Sequence, residues 1–257
     1  MKVLFIGDIV GSPGRKAIKE YLNEIRRELS FDYCIANGEN VAGGSGITCV
    51  LAQELYAGGI DGITMGNHTW SKREITNFID SDNRIVRPAN YASGLPGKGS
   101  AIIGGRLGII NLQGRVYMDP VDCPFKALDR ELEYIKSKVK AVIVDIHAEA
   151  TSEKCALAWY ADGRVSAVLG THTHVQTADE RILPCGTAFI SDVGMTGPYE
   201  GIIGVERDIV IDKFVNGMPV RFEVAKGALQ FNAVYLEIDE KTGRSTYIRR
   251  ISKISAL

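Results

Sequence analysis

Cysteine has no paired pattern in this chain. Cys34, Cys49, Cys123, Cys155 and Cys185 are odd in number, scattered, and never spaced as C-x-x-C. That excludes a disulfide framework and fits free thiols in a reducing compartment. No apolar run approaches the roughly 18 residues that a membrane span requires. The opening "MKVLFIGD" meets Asp8 too soon for the core of a signal peptide. A cytoplasmic protein with no membrane association is therefore expected. Charge of one sign is also missing: the formal net charge is -1. With no basic, aromatic-rich stretch, this argues against a chain that coats nucleic-acid backbones, and no stable nucleic-acid complex is expected. Repeats, low-complexity segments and charge blocks are absent, and nothing resembles a linker.

What is present is an ordinary globular composition, 45% hydrophobic and 24% charged, over 257 residues. Such a chain can bury a large core without disulfides or zinc. Short β-rich runs alternate with helical patterns. "KVLFIG", "DYCIANGEN", "DGITMGNH", "RLGIINLQG", "AVIVDIHA", "VSAVLGTHTH" and "TAFISDVG" read as strands. Helices are expected after the first, where Ile18, Tyr21, Leu22, Ile25 and Leu29 share a face, and at "LAQELYAGG", "SKREITNFID", "PFKALDRELEYIKSK" and "VERDIVIDKFV". The tail from "VRFEV" onward reads as two or three antiparallel strands with a turn at "EKTGR". A single α/β domain over residues 1–257, built on two sheets, is the expectation.

Histidine is scarce, at four residues, and all four follow strand-like runs. "LFIG" ends at Asp8, "YCIANG" at Glu39-Asn40, "GITMG" at Asn67-His68, "VIVDI" at His147, and "AVLG" runs into His172 and His174. Each alone has a bland reading: Asp8 as a helix cap, the asparagines as turn formers, His147 as a satisfied core histidine. Together they are more specific. Open α/β sheets bind ligands beyond the carboxyl ends of their strands, so five such ends would share one patch. Carboxylate, carboxamide and imidazole without thiolate suit Mn, Fe or Zn. Six or seven such groups exceed one tetrahedral site and point to two metal ions.

These blocks carry a family resemblance. "GD" after strand one, "GNH", a lone later histidine and "GTHTH" are similar to the motifs of the calcineurin-like metallophosphoesterases. "FIGDIVGSPGR", "NGEN", "TMGNHTW", "RPAN", "NLQGR", "HAEATSEK", "GTHTHVQTAD" and "DVGMTGPY" resemble, nearly end to end, the YmdB-type cyclic-nucleotide phosphodiesterases. The resemblance implies an α/β/β/α sandwich of two mixed sheets flanked by helices, forming a homo-oligomer. Three positions depart from the general superfamily: Val10 replaces a histidine, Gly38-Glu39-Asn40 replaces a GD block, and Thr69 replaces an acidic residue. The implied ligands are Asp8, Glu39, Asn40 and His174 for one metal, and Glu39, Asn67, His147 and His172 for the other. Fe and Mn are the expected ions, with Zn as an alternative. His68 would stand above them as general acid while a bridging hydroxide attacks a small 2',3'-cyclic nucleotide. The alternatives are a phosphomonoesterase or nucleotidase using the same site, and a metal-dependent nucleotide-binding regulator. Arg87, Lys98, Arg115 and Tyr199 are candidates for substrate contact. "GGSG" at 43–46 reads as a connector or a rim to the site.

Overall fold

The computed structural model describes residues 1–255. The first half runs β1 (Lys2–Ile6), β2 (Asp8–Ile9), α1 (Gly11–Leu29), β3 (Tyr33–Asn37), α2 (Cys49–Ala57), β4 (Gly62–Thr64) and β5 (Ile85–Val86). Next come β6 (Ser100–Ile103), β7 (Leu107–Gln113), α3 (Pro124–Ile135), β8 (Ala141–His147), α4 (Thr151–Ala161) and β9 (Ala167–Thr171). The chain closes with β10 (Arg181–Ile182), β11 (Ala188–Ile190), β12 (Met195–Pro198), α5 (Arg207–Asn216), β13 (Leu229–Ile238) and β14 (Ser245–Ile254).

Two mixed sheets result. One has the order β2-β12-β13-β1-β3-β4-β5, with β14 also paired to β13; the other is β10-β11-β9-β8-β7-β6. Their facing sides share an apolar layer in which Phe5 and Ile35 of the first sheet join Ile109, Ile143 and Leu169 of the second. α1 and α2 cover the outer face of the first sheet, where Ile18, Leu22, Ile25 and Leu55 are buried. α3 and α4 cover the outer face of the second through Leu128, Leu132, Leu157 and Ala158. The layers are thus α/β/β/α.

Successive side chains alternate faces along a strand, so positions two apart share one. The row facing the other sheet changes character along each central strand. It runs Ile143, Asp145, His147 on β8, Leu169, Thr171 on β9, and Ile35, Asn37 on β3, all buried. Oil gives way to polar groups toward the carboxyl ends, and the site begins there.

Two expectations are corrected. "SKREITNFID" is not an α-helix: its core is a five-residue 3-10 turn, Arg73–Asn77. Ile75, Thr76 and Asn77 are poor helix formers in succession. Conversely, α4 went unread in the sequence. Its buried face includes Glu153 and Lys154 beside Leu157, Ala158 and Ala161, which disguises the apolar stripe. The tail contains two strands, β13 and β14, and "VRFEV" before them contributes only an isolated bridge at Val224.

Candidate metal centre

Asp8 follows β1 after a single residue, Gly7. A Cβ at Gly7 would lie 1.8 Å from the Gly194 carbonyl oxygen, and only glycine lets that strand pass. The Asp8 amide donates to the same carbonyl at 3.0 Å. Glu39 and Asn40 turn off the end of β3, where Gly11 and Gly44 amides hold the Asn40 carbonyl and the Gly46 amide holds that of Glu39. The "GGSG" segment is therefore folded back on the Glu39-Asn40 turn. Asn67 and His68 follow β4 through Gly66. A Cβ there would meet the His147 ring at 2.3 Å and Glu39 Oε2 at 2.4 Å, so Gly66 lets these three segments converge.

The seven predicted ligands come together. His147 Nε2 lies 3.0 Å from Glu39 Oε1, 2.9 Å from Asn67 Oδ1 and 3.0 Å from His172 Nδ1. Glu39, His147 and His172 each bring a donor atom within 4.8 Å of the other two, as one metal ion requires. On the other side, His174 Nε2 is 3.2 Å from Asn40 Nδ2 and 3.9 Å from Asp8 Oδ1. Asp8 Oδ2 accepts from the His172 amide at 3.2 Å. Asp8 Oδ1 and Asn40 Oδ1 are buried without a hydrogen-bond partner. Such orphans are costly unless something cationic faces them. Half a turn of the Asn40 amide exchanges its two ends and points the oxygen at the Glu39–His174 side. The donor set fits metal ions.

The outer nitrogens of the three candidate ligand histidines support the same conclusion. His147 Nδ1 contacts Thr171 Oγ1 at 2.9 Å, His172 Nε2 contacts Glu149 Oε2 at 3.2 Å, and His174 Nδ1 contacts the Ile203 carbonyl at 2.8 Å. An acceptor on the outer nitrogen holds its proton there and leaves the inner lone pair free for a metal. Thr171 in turn donates to Asp145 at 2.6 Å, so its oxygen is left to accept from His147. Asp145 also receives Asn37 Nδ2 at 3.1 Å and the Thr64 hydroxyl, tying β8 to both β3 and β4.

His68 is different. Its amide donates to Glu39 Oε2 at 2.9 Å, but its ring has a distant neighbour in Ser71 Oγ, 3.4 Å from Nδ1. Thr69, which replaces the usual acidic residue, bonds back to the Gly66 carbonyl at 2.6 Å.

The electrostatics suit a site for cations. Burial raises the Glu39 carboxyl, but His147 and then His68 outweigh it and bring it to about 2. Burial opposes charge on His147, yet Glu39, Asp8 and Asp145 raise it to about 9. Burial and the His147 charge push His172 down to about 3. Burial raises Asp8 despite His174 and His147. Without metal, a proton on His147 is held among acceptors that a cation would otherwise satisfy.

The "THTH" loop is strained and pinned. His172 and His174 have φ of 101° and 67°, unusual for residues with a Cβ. Thr173 between them donates its amide and hydroxyl to Asp192 Oδ2, at 3.0 and 2.6 Å. The same oxygen meets Lys154 Nζ at 2.7 Å, in an ion pair whose side chains are each 1% exposed. Val10, at the superfamily's histidine position, is buried.

The loop residues proposed for substrate divide. The Arg87 guanidinium is taken up by the carbonyls of Pro96, Pro88 and Leu95. Lys98 Nζ bonds Asn83 Oδ1 at 3.1 Å, away from the centre. Arg115 has an exposed side chain, while its amide is held by Glu153. Tyr199 is 49% exposed.

The YmdB-like family profile matches residues 4–251. The chain belongs to the YmdB-like family. It is 51% identical to the 2',3'-cyclic-nucleotide 2'-phosphodiesterase of Bacillus subtilis strain 168, over 98% of this chain and 96% of that one. A hypothetical protein from Thermus thermophilus, known from its crystal structure, is 44% identical and superposes with a TM-score of 0.92, covering 100% of both chains. A phosphatase crystal structure from Mycoplasma pneumoniae is 36% identical with a TM-score of 0.93, covering 99% of this chain and 93% of that one. YmdB-like membership accords with the layered α/β architecture. Among the described residues no helix is long and apolar enough to cross a membrane.

Asp145, Thr171, Glu149, Asp192 and Lys154 escaped the sequence reading. Asp145 carried a positional signal, two residues before His147 on one strand and therefore on the same face, while Thr171, Glu149, Lys154 and Asp192 lie within the blocks "GTHTHVQTAD", "HAEATSEK" and "DVGMTGPY", which assign them no role. Thr171 stands opposite His147 in the β8–β9 register, which the sequence does not state.

Proposed function

We propose that this protein is a metal-dependent phosphodiesterase of small 2',3'-cyclic nucleotides, acting as one domain over residues 1–257. The observation that carries the metal chemistry is the orphaned buried oxygen Asp8 Oδ1 beside three converging imidazoles. The choice of a cyclic diester rests on the Bacillus subtilis relative. Asp8, Glu39, Asn40 and His174 would hold one ion, and Glu39, Asn67, His147 and His172 a second. Oxygen and nitrogen donors without thiolate favour Fe or Mn, with Zn as the alternative. Bound ions would supply Lewis-acid charge at the phosphoryl group and lower the pKa of water.

The remaining chemistry belongs to the chain. Glu39 shares one carboxylate between the two ligand groups and fixes the His68 amide through Oε2. Asp145 and Thr171 keep the His147 proton on Nδ1. The free Nε2 of His68, at the rim, carries the proton that the leaving ribose oxygen needs. General acid catalysis of this kind contributes about 10²- to 10⁴-fold.

The test is turnover of 2',3'-cyclic AMP and of adenosine 3'-monophosphate by protein loaded with Mn. Cyclic diester hydrolysis that chelator abolishes is the expected result. Turnover insensitive to chelation would refute the metal role, and faster release of phosphate from the monoester would make the protein a phosphomonoesterase. Metal-dependent nucleotide binding without turnover would make it a regulator.

A further inference from the structure

A cleft of about 640 Å³ opens directly beside the candidate centre, with Asn67 in its lining. Its apolar wall is Trp70, Tyr91, Leu95 and Val121. The Trp70 and Tyr91 rings lie 6.1 Å apart at 36°, already in contact range. No third ring fits between them, so together they present one continuous aromatic wall. The Tyr91 hydroxyl lies 2.9 Å from both the Gly66 carbonyl oxygen and Gln113 Oε1 and has one proton to share between them. That anchors the wall to the turn that carries Asn67 and His68. The rest of the lining includes polar and acidic groups, Gln113 next to Tyr91 and the carboxylates of Asp119 and Asp122.

We infer that this cleft is the nucleobase subsite and that it takes a base bearing an exocyclic amine. This rests on the phosphodiesterase reading. Volume and lining suit a small ligand, and a planar heterocycle stacks favourably on an aromatic wall. The sign of the charge decides which end of the nucleotide enters. Asp119 and Asp122 repel a phosphate, which is left to the cationic centre at Asn67, and they accept hydrogen bonds from an amino group. Adenine and cytosine offer that amine, with two N–H donors; uracil offers a carbonyl in its place, which the carboxylates repel, and keeps only its ring N3–H as a donor. Neither Trp70 nor Tyr91 belongs to the candidate ligand set, so base recognition and phosphate chemistry are separable.

Kinetics and binding test this together. Trp70→Leu is expected to raise KM for 2',3'-cyclic AMP about 5- to 150-fold, the range that the loss of one stacking contact gives. KM for methyl riboside 2',3'-cyclic phosphate, which has no base, should stay within about twofold. Equal changes on both substrates, or none on either, would overturn the subsite. Wild-type KM is expected to be lower for cyclic AMP and cyclic CMP than for cyclic UMP; parity with uracil would overturn the amine assignment.

The binding arm needs no turnover. The chain has two tryptophans, and Trp159 is exposed on α4. In Trp159→Phe, Trp70 is the remaining emitter. Adenosine 3'-monophosphate should quench it saturably, while ribose phosphate without a base should not. A protein that hydrolyses no diester yet shows saturable quenching would lose the proposed function and keep the subsite. Hydrolysis without quenching would do the reverse.

Discussion

Thr171 places one hydroxyl between a buried acid and a candidate ligand imidazole. Thr171→Val keeps the shape and removes that hydroxyl, leaving Asp145 Oδ1 and His147 Nδ1 without their partner. Groups of this kind are worth about 10- to 100-fold in metal affinity. We expect that loss in a titration with Mn, together with a lower melting temperature; unchanged affinity would mean that Thr171 does not set the His147 tautomer. His68 invites the opposite experiment, since its ring has only Ser71 Oγ, 3.4 Å from Nδ1, where each candidate ligand histidine has a closer acceptor. His68→Ala should keep full metal content, lose about 10²- to 10⁴-fold on a cyclic nucleotide, and lose far less on a nitrophenyl diester. Equal losses on both, with full metal, would remove the acid role; loss of metal would make His68 a ligand. The residues that the sequence exposed are those with unusual side chains at strand ends: Asp8, Glu39, Asn40, Asn67, and every histidine. Those that it concealed act by pairing across strands or across the sheets. Thr171 and Asp192 stand in recognisable blocks, but what they do emerges only when register and loop path are known.

At the scale of elements, the strands were legible because their runs are apolar and end abruptly in polar residues. Helices were legible where the apolar stripe is clean, as in α1 with Ile18, Leu22 and Ile25 buried. α4 was not, because Lys154 is spent on Asp192 inside the fold and so reads as a surface charge. The β4-to-turn junction offers a test of how closely the elements must approach. Gly66→Ala places a methyl 2.3 Å from the His147 ring and 2.4 Å from Glu39 Oε2, so a candidate ligand or the backbone must shift. We expect a protein with native circular dichroism that binds markedly less metal and has lost most activity. Full metal content in this variant would show that the junction is softer than its packing implies.

For the molecule as a whole, pH reads out the charge balance of the centre. His147 is raised from 6.5 to about 9 by its acidic neighbours. A raised folded-state value gives stability that is complete below 6.5 and is lost as pH climbs through about 9. Glu39, lowered from 4.5 to about 2, gives stability present above 4.5 and lost as pH falls through about 2. Chelated protein should therefore melt at progressively lower temperature from pH 6.5 to 9, and Mn should remove that decline by taking the place of the proton. A chelated protein that gained stability over this range would contradict the ion-pair account. The geometry has one more result. Asp8, Glu39, Asn40 and Asn67 come from one sheet, and His147, His172 and His174 from the other, so the two leaves meet at this rim through donors that no direct bond fully satisfies. A cation here is a clasp: it fastens segments far apart in the chain and leaves the apolar middle to hold itself. Unfastened, the leaves should breathe at the clasp end alone. Amides at the carboxyl ends of β3, β8 and β9 would then exchange with deuterium faster after chelation, while those at the amino ends of the same strands keep their pace.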